Sequence, residues 1–253
     1  MKAIILSAGQ GRRLAPLTDD SPKCTVPVQG RTLIEWQIDQ LVECGVDDIT
    51  AVVGFGAAHV EKVLGRVDRH VGLRTLYNPF FEVADNLVSC WLAREEMSED
   101  FVLLNGDTLF EPAVLQRLLD APQRPITLAR DHKAHYDADD MKMHLAGDRL
   151  LAIGKKLPDQ QVDAESIGMS LFRGEGPALF RAALERNVRR PEAMRQWYLS
   201  VIGQLAEAGQ VWTRSIEGLD WSEVDYPLDL VRASKMVSGW FTPEQTEQAA
   251  AAR

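Results

Sequence analysis

Gly9 and Gly11, with Arg13 just behind them and Lys23 beyond, are the residues of this 253-residue chain best suited to hold a phosphate chain. They lie in Leu6-Ser7-Ala8-Gly9-Gln10-Gly11-Arg12-Arg13-Leu14, followed by Ser21-Pro22-Lys23. Glycine lets backbone N–H groups approach phosphate oxygens closely. Arg13 adds a fork of donors and Lys23 a point charge, so the pair can neutralise a triphosphate. Two commoner glycine motifs are excluded. The dinucleotide fingerprint needs a third glycine where Leu14 stands, and the Walker loop needs Gly-Lys-Ser/Thr entering a helix. A lone Gly-x-Gly also suits a tight βα turn with solvated arginines. Arg13 and the Ser-Pro-Lys element weigh against that reading. Further along, Asp107 follows the apolar run Phe101–Leu104. Ligands collect at such strand ends in open α/β sheets, and a carboxylate there is a hard oxygen ligand for Mg²⁺. The competing reading is a turn or N-cap aspartate ahead of Pro112.

These residues need a scaffold, and the apolar pattern supplies one. Ala3–Leu6, Ile49–Val53, Leu73–Tyr77 and Phe101–Leu104 read as strands. Between and after them, helical spacing runs over Thr32–Cys44 (ending at Gly45), Ala57–Leu64, Asn86–Met97 and Pro112–Leu119. Strand–helix alternation predicts a mostly parallel sheet with helices on both faces. After about residue 125 the rhythm changes. Ile126–Ala129, Met141–Leu145, Leu150–Ile153 and Ser166–Phe172 are closely spaced strands, followed by helices over about 175–187 and 193–208. The whole reads as one α/β, Rossmann-like mixed sheet over 1–240, with a nucleotide half over about 1–125 and an acceptor half over about 126–240. The tail over 241–253 reads as a frayed helix or an oligomer contact, so a homodimer is one expectation.

Composition narrows the partners. A net charge of −9 argues against non-specific nucleic-acid binding, which needs a basic face. No apolar run reaches the roughly 18 residues of a membrane span. No charged leader precedes the first strand, and three sparse cysteines (Cys24, Cys44, Cys90) make neither a disulfide framework nor a metal knuckle. The expectation is a cytoplasmic protein.

Leu6–Leu14 with Pro22-Lys23 resembles the signature of the sugar-phosphate nucleotidyltransferases, and the likeness extends over nearly the whole chain. Leu104-Asn105-Gly106-Asp107 resembles that family's metal-binding aspartate, Glu165-Ser166-Ile167-Gly168-Met169 its substrate-side strand, and Glu223-Val224-Asp225 its second metal aspartate. Two departures are Ser7, where alanine is usual, and Cys24, where a small apolar residue is usual. The resemblance implies the nucleotide-diphospho-sugar transferase fold, Mg²⁺ on Asp107 and Asp225, and Lys23 and Arg13 as catalytic cations on the NTP phosphates. In the implied reaction, an acceptor phosphate attacks the α-phosphorus and pyrophosphate leaves. A phosphate oxygen is already anionic near neutral pH, so no general base is needed, and the five scattered histidines need no role.

Asp85-Asn86-Leu87-Val88-Ser89 and Tyr136–Lys142 resemble the small cytidylyltransferase branch, whose products are CDP-choline-like. Asn86 or Ser89, with the backbone near Ala8 and Gly9, could read a pyrimidine edge. The alternative is a helix N-cap built on Asp85. Lys155 and Lys156 suit an acceptor phosphate, with Lys142 as a rival. Glu165, Trp197 and Tyr198 are candidates to line the acceptor site, as are Trp221, Asp137, Asp139 and Asp140; carboxylates and aromatic faces suit an amine or quaternary ammonium. The expected activity is CMP transfer from CTP to a phosphocholine-like, aminoalkylphosphonate or phospho-alcohol acceptor. Two readings stand beside it: a sugar 1-phosphate transferase using UTP or another NTP, and a catalytically silent nucleotide-binding module.

Overall fold

The computed structural model describes residues 1–67 and 70–240, and the expectation for the tail over 241–253 lies outside the described residues. Among the described residues thirteen strands form in chain order: β1 (Lys2–Ser7), β2 (Pro27–Val28), β3 (Arg31–Thr32), β4 (Asp48–Val53), β5 (Gly72–Tyr77), β6 (Phe101–Asn105), β7 (Thr108–Phe110), β8 (Ile126–Asp131), β9 (Lys142–Ala146), β10 (Arg149–Gly154), β11 (Ala164–Phe172), β12 (Val211–Ser215) and β13 (Trp221–Glu223). The helices are α1 (Leu33–Glu43), α2 (Ala57–Leu64), α3 (Asn86–Leu92), α4 (Pro112–Leu119), α5 (Gly176–Val188), α6 (Tyr198–Glu207) and α7 (Pro227–Ser238).

Nine strands make one sheet in the order β5-β4-β1-β6-β11-β8-β12-β10-β9. β5, β4, β1 and β6 are parallel, as the βα rhythm predicts, and β11 then runs antiparallel to both β6 and β8. Strands from both halves of the chain therefore share one sheet. Along β1, Ile4 and Leu6 enter the apolar layer packed with α3, α5 and α6, while Ala3 and Ile5 enter the layer packed with α1, α2 and α4. Burial on both faces explains why the parallel strands read as continuous apolar runs rather than alternating ones.

Three details depart from the sequence reading. β12 was not foreseen; it inserts parallel to β8 between β8 and β10. The helix expected over 193–208 begins at Tyr198, because Pro191–Arg195 forms a separate 3₁₀ turn and Trp197 takes the extended N-cap position. The helix expected over Asn86–Met97 ends at Leu92 and continues as a 3₁₀ turn over Ala93–Glu96.

α1 starts at a capping box. The Glu35 backbone N–H donates to Thr32 Oγ1 at 3.3 Å, and the Thr32 backbone N–H donates to Glu35 Oε2 at 2.8 Å. Both bonds satisfy donors that a helix end leaves orphaned. Thr32→Ala is expected to lower stability by about 1 kcal/mol. Urea unfolding checks this; an unchanged midpoint would show that the cap contributes nothing.

A third, smaller apolar cluster is what fixes the site. It joins Leu14, Val26, Leu33, Trp36, Leu109 and Val224 with Ala233 and Val237 of α7. Leu14 follows the arginines of the first loop, Leu109 follows the Asp107 turn, and Val224 lies between Glu223 and Asp225. Three segments remote in sequence are thereby locked together by apolar side chains directly behind their polar ones.

Candidate active site

β1 and β6 run side by side, with Leu6 opposite Asn105, so their C-terminal ends bring the first loop and the Asp107 turn together. The Gly106 N–H donates to the Leu6 carbonyl at 3.0 Å. A Cβ at Gly106 would lie 2.5 Å from Ser7 Oγ and 2.6 Å from that carbonyl, so only glycine permits the approach. The turn is pinned from the other side by buried Gln37 of α1. Its Nε2 donates to the carbonyls of Asn105 at 2.7 Å and Thr108 at 2.8 Å. Thr108 Oγ1 in turn donates to the Ile167 carbonyl at 2.9 Å.

β13 pairs antiparallel with β7, setting Glu223 opposite Thr108, and the Val224 N–H donates to the Asp107 carbonyl at 3.1 Å. Because side chains alternate in extended backbone, Val224 enters the core while Glu223 and Asp225 turn the other way. Asp107, Glu223 and Asp225 each offer a carboxylate oxygen within 4.8 Å of the others. Sequence reading assigned the two aspartates and missed Glu223. The period-2 spacing of Glu-Val-Asp was the signal that could have found it.

Two cations meet this acidic group. Lys23 is buried, and its Nζ donates to Asp107 Oδ2 at 2.7 Å and to Asp225 Oδ1. Burial alone would pull the lysine pKa down, but the charges of Asp107 and then Asp225 hold it above the usual value. Arg13 Nη1 lies 3.2 Å from Asp225 Oδ2, and Nη2 lies 3.4 Å from Asp139 Oδ2. Tyr226, also unforeseen, stacks beneath the Arg13 guanidinium at 5.5 Å, and its hydroxyl donates to Asp139 Oδ2 at 3.3 Å. Protein packed about the Glu223 carboxyl, then the Asp107 and Asp225 charges, push its pKa up to about 8 even though part of the side chain is open to solvent. Cys24, next to Lys23, is inert: burial pushes its thiol up to about 12.

The donor set suits a hard divalent cation. All three ligand candidates are carboxylates, and Asp107 Oδ1 is a buried oxygen without a hydrogen-bond partner. An acceptor oxygen left unpaired at such a place can take a bound cation as its partner.

Beside the acids runs a cleft with two adjoining chambers. One, of about 250 Å³, is walled by Ala8, Gly9, Asn78, Phe81, Asn86, Ser89 and Trp197. Here the structure refines the reading of Asn86 and Ser89. Asn86 Oδ1 accepts the Tyr198 backbone N–H at 2.9 Å, and Ser89 Oγ accepts from Asn78 Nδ2 at 3.0 Å. Asp85 stands at the α3 N-cap position but its side chain makes no cap bond. The other chamber, of about 160 Å³, holds Asp107, Glu223 and Asp225 together with Asp139, Lys155, Glu165 and Trp197. Lys155 Nζ sits 4.5 Å over the Trp197 ring and 3.6 Å from Asp139 Oδ1. Glu165 is buried and paired with Lys133 at 2.9 Å; Lys133 also holds Asp140 at 2.7 Å. Burial raises the Glu165 pKa and Lys133 partly offsets it.

Four expected acceptor residues lie elsewhere. Tyr198 is fully buried against Phe180, because it is the first residue of α6 and faces the core. Lys156 is exposed and lines neither chamber, since its neighbour Lys155 takes the inward side. Lys142 is buried, with its ammonium donating to the backbone carbonyls of Asp137 and Lys155, so it braces the loop and does not line the chamber that Lys155 enters. Trp221 donates to Asp131 Oδ2 at 2.6 Å and packs on the sheet side.

Comparison with known proteins fits this geometry. The profile of a family described as MobA-like NTP transferase domain matches residues 3–200. The CMP-5'-(3-aminopropyl)phosphonate synthase of Streptomyces rubellomurinus is 31% identical over 98% of this chain and 40% of its own length. The choline-phosphate cytidylyltransferase of Streptococcus pneumoniae is 36% identical over 44% of this chain and 47% of its own. The chain thus spans less than half the length of these two relatives. Among solved structures, the inositol-1-phosphate CTP transferase of T. maritima superposes with a TM-score of 0.79 at 24% identity, covering 94% of both chains, which is a likeness of fold. Among the described residues no helix is long and apolar enough to cross a membrane.

Proposed function

Since the chain belongs to the MobA-like NTP transferase family, we propose that it transfers CMP from CTP to a small phosphorylated or phosphonylated acceptor and releases pyrophosphate. The observation that carries this reading is the convergence of Asp107, Glu223 and Asp225 with Lys23 and Arg13 at the mouth of the glycine loop, next to a chamber holding Lys155 and Trp197. The same convergence speaks against a silent module, which has no use for three crowded carboxylates. The printed functions of the similar Streptomyces and Streptococcus enzymes support CTP and a phosphonate or phosphocholine-like acceptor.

In this mechanism the NTP phosphates lie along Gly9–Gly11, with Arg13 and Lys23 as countercharges. Asp107, Asp225 and Glu223 would hold Mg²⁺, which supplies Lewis-acid stabilisation of charge on the phosphates. Lys155 holds the acceptor phosphate, a role supported by its position over Trp197 and beside Asp139, and those two offer an aromatic face and a carboxylate to a cationic acceptor tail. The acceptor oxygen attacks the α-phosphorus without a base, so rate comes from positioning and charge. Ala8, Gly9, Asn86 and Ser89 frame the base, and the protein works in the cytoplasm.

Pyrophosphate release across the four NTPs, each against phosphocholine, aminoalkylphosphonates, phospho-alcohols and hexose 1-phosphates, tests the proposal. CTP is expected to lead UTP by roughly 5- to 150-fold, because the wrong pyrimidine leaves a buried polar group unpaired at about 1–3 kcal/mol. ATP and GTP should be poorer still. Ser89→Ala or Asn86→Ala should narrow the CTP preference. Better turnover with UTP and a hexose 1-phosphate would reassign the substrates while leaving the metal and loop roles standing.

A further inference from the structure

The Lys23 ammonium lies between Asp107 and Asp225, in contact with one oxygen of each, and those same residues belong to the carboxylate group that suits a divalent cation. A lysine ammonium and a divalent ion cannot both sit against this pair: their charges repel at such short range, and the ammonium already occupies one oxygen of each aspartate. The lysine stem has one well-defined course. A Cβ at Gly11 would meet Lys23 Cβ at 2.6 Å and its Cγ and Cδ at 3.0 Å, so the side chain runs along the backbone of the phosphate loop before reaching the acids. Gly11 has a φ of +78° and thus has a double reason to be glycine. The ammonium therefore stands between two anionic clients, the acids on one side and whatever phosphate the loop binds on the other.

We propose that Lys23 competes with the divalent cation for the Asp107–Asp225 pair, and that a triphosphate on the loop relieves the competition by taking the ammonium for itself. This rests on the nucleotidyltransferase reading above. Metal and nucleotide then bind cooperatively through one side chain, and the coupling is reciprocal: each raises the affinity of the other by the same factor. The protein alone binds the free metal weakly, which keeps the acids from being filled before the nucleotide arrives.

Two measurements on the full chain test this. In the first, Mn²⁺ binding is followed by the loss of the free-ion electron paramagnetic resonance signal, without nucleotide, for the wild type and Lys23→Met. The variant is expected to bind Mn²⁺ about tenfold more tightly, within the usual range of coupling factors. It should also melt lower in chelator and recover with Mn²⁺. A folded Lys23→Met protein that binds Mn²⁺ no more tightly than wild type overturns the proposal. The second measurement needs no variant. The ¹⁵Nζ resonance of Lys23 in the wild type should stay in place with Mg²⁺ alone and shift when Mg²⁺ and α,β-methylene-CTP are added together. Full displacement by Mg²⁺ alone, or an unmoved resonance once the analogue is bound, overturns it. If calorimetry detects no binding of the analogue at all, the nucleotidyltransferase reading falls first.

Discussion

Asp107→Ala is expected to abolish pyrophosphate release, by roughly 10³-fold or more, while leaving the protein folded. The residue contributes a carboxylate to the cluster with Glu223 and Asp225, and losing a metal ligand forfeits several kcal/mol of charge stabilisation in the transition state. Its contribution to folding is small by comparison. Oδ1 has no partner, Asp225 keeps the Lys23 ammonium paired when the Oδ2 contact is lost, and the bonds that shape the turn, Gly106 N–H to Leu6 O and Val224 N–H to Asp107 O, are made by backbone. Steady-state rates at saturating CTP and Mg²⁺, read beside a thermal melt, separate the two effects. Near-normal turnover would sink the metal assignment. Asp225→Ala should lose activity in the same direction, and it also releases Arg13 and Lys23 from a shared partner.

Lys23→Ala is the second large effect, with a loss of about 10²–10³ in rate, the scale measured for removing one preorganised donor from a developing anion. Arg13 remains and accounts for the residual activity. Unlike the Asp107 change, this one should also destabilise the protein when metal is withheld, because Asp107 and Asp225 are left facing each other without the cation between them. Both carboxylates are partly open to water, so the loss is moderated by solvent. Unchanged turnover in the variant would show that the loop does not hold the triphosphate as described.

The mostly parallel nucleotide half was legible because each element there is local and strongly patterned. Apolar runs such as Ala3–Leu6 and Phe101–Leu104 mark strands buried on both faces, and the apolar spacing over Thr32–Cys44, ending at Gly45, marks α1. The make-up of the first loop was legible too, since glycines and cations within a few residues of each other need little tertiary information. The acceptor side was harder. Lys155 and Lys156 are neighbours of the same type, and only the direction in which each side chain leaves the chain tells them apart. Trp197 and Tyr198 are equally alike in sequence, yet the helix start between them sends one to the cleft and the other to the core.

By itself the sequence determined the glycine loop with its nearby cations, the placing of Asp107 at a strand end and the strand–helix scaffold, because those depend on residue type and short spacing. The tertiary structure decided everything that depends on meeting across distance. β13 pairing with β7 brings Glu223 and Asp225 to Asp107 over more than a hundred residues, and Leu14, Leu109 and Val224 hold that meeting from behind. It also decided that Lys23 lies between two acids rather than out along the loop, and that Lys142 braces backbone carbonyls rather than facing a ligand. The reason is the range of the forces. Hydrophobic periodicity and backbone preference act over a few residues and leave their trace in sequence. Charge pairing and desolvation depend on which groups the packed core places within a few ångströms, and a linear pattern does not record that.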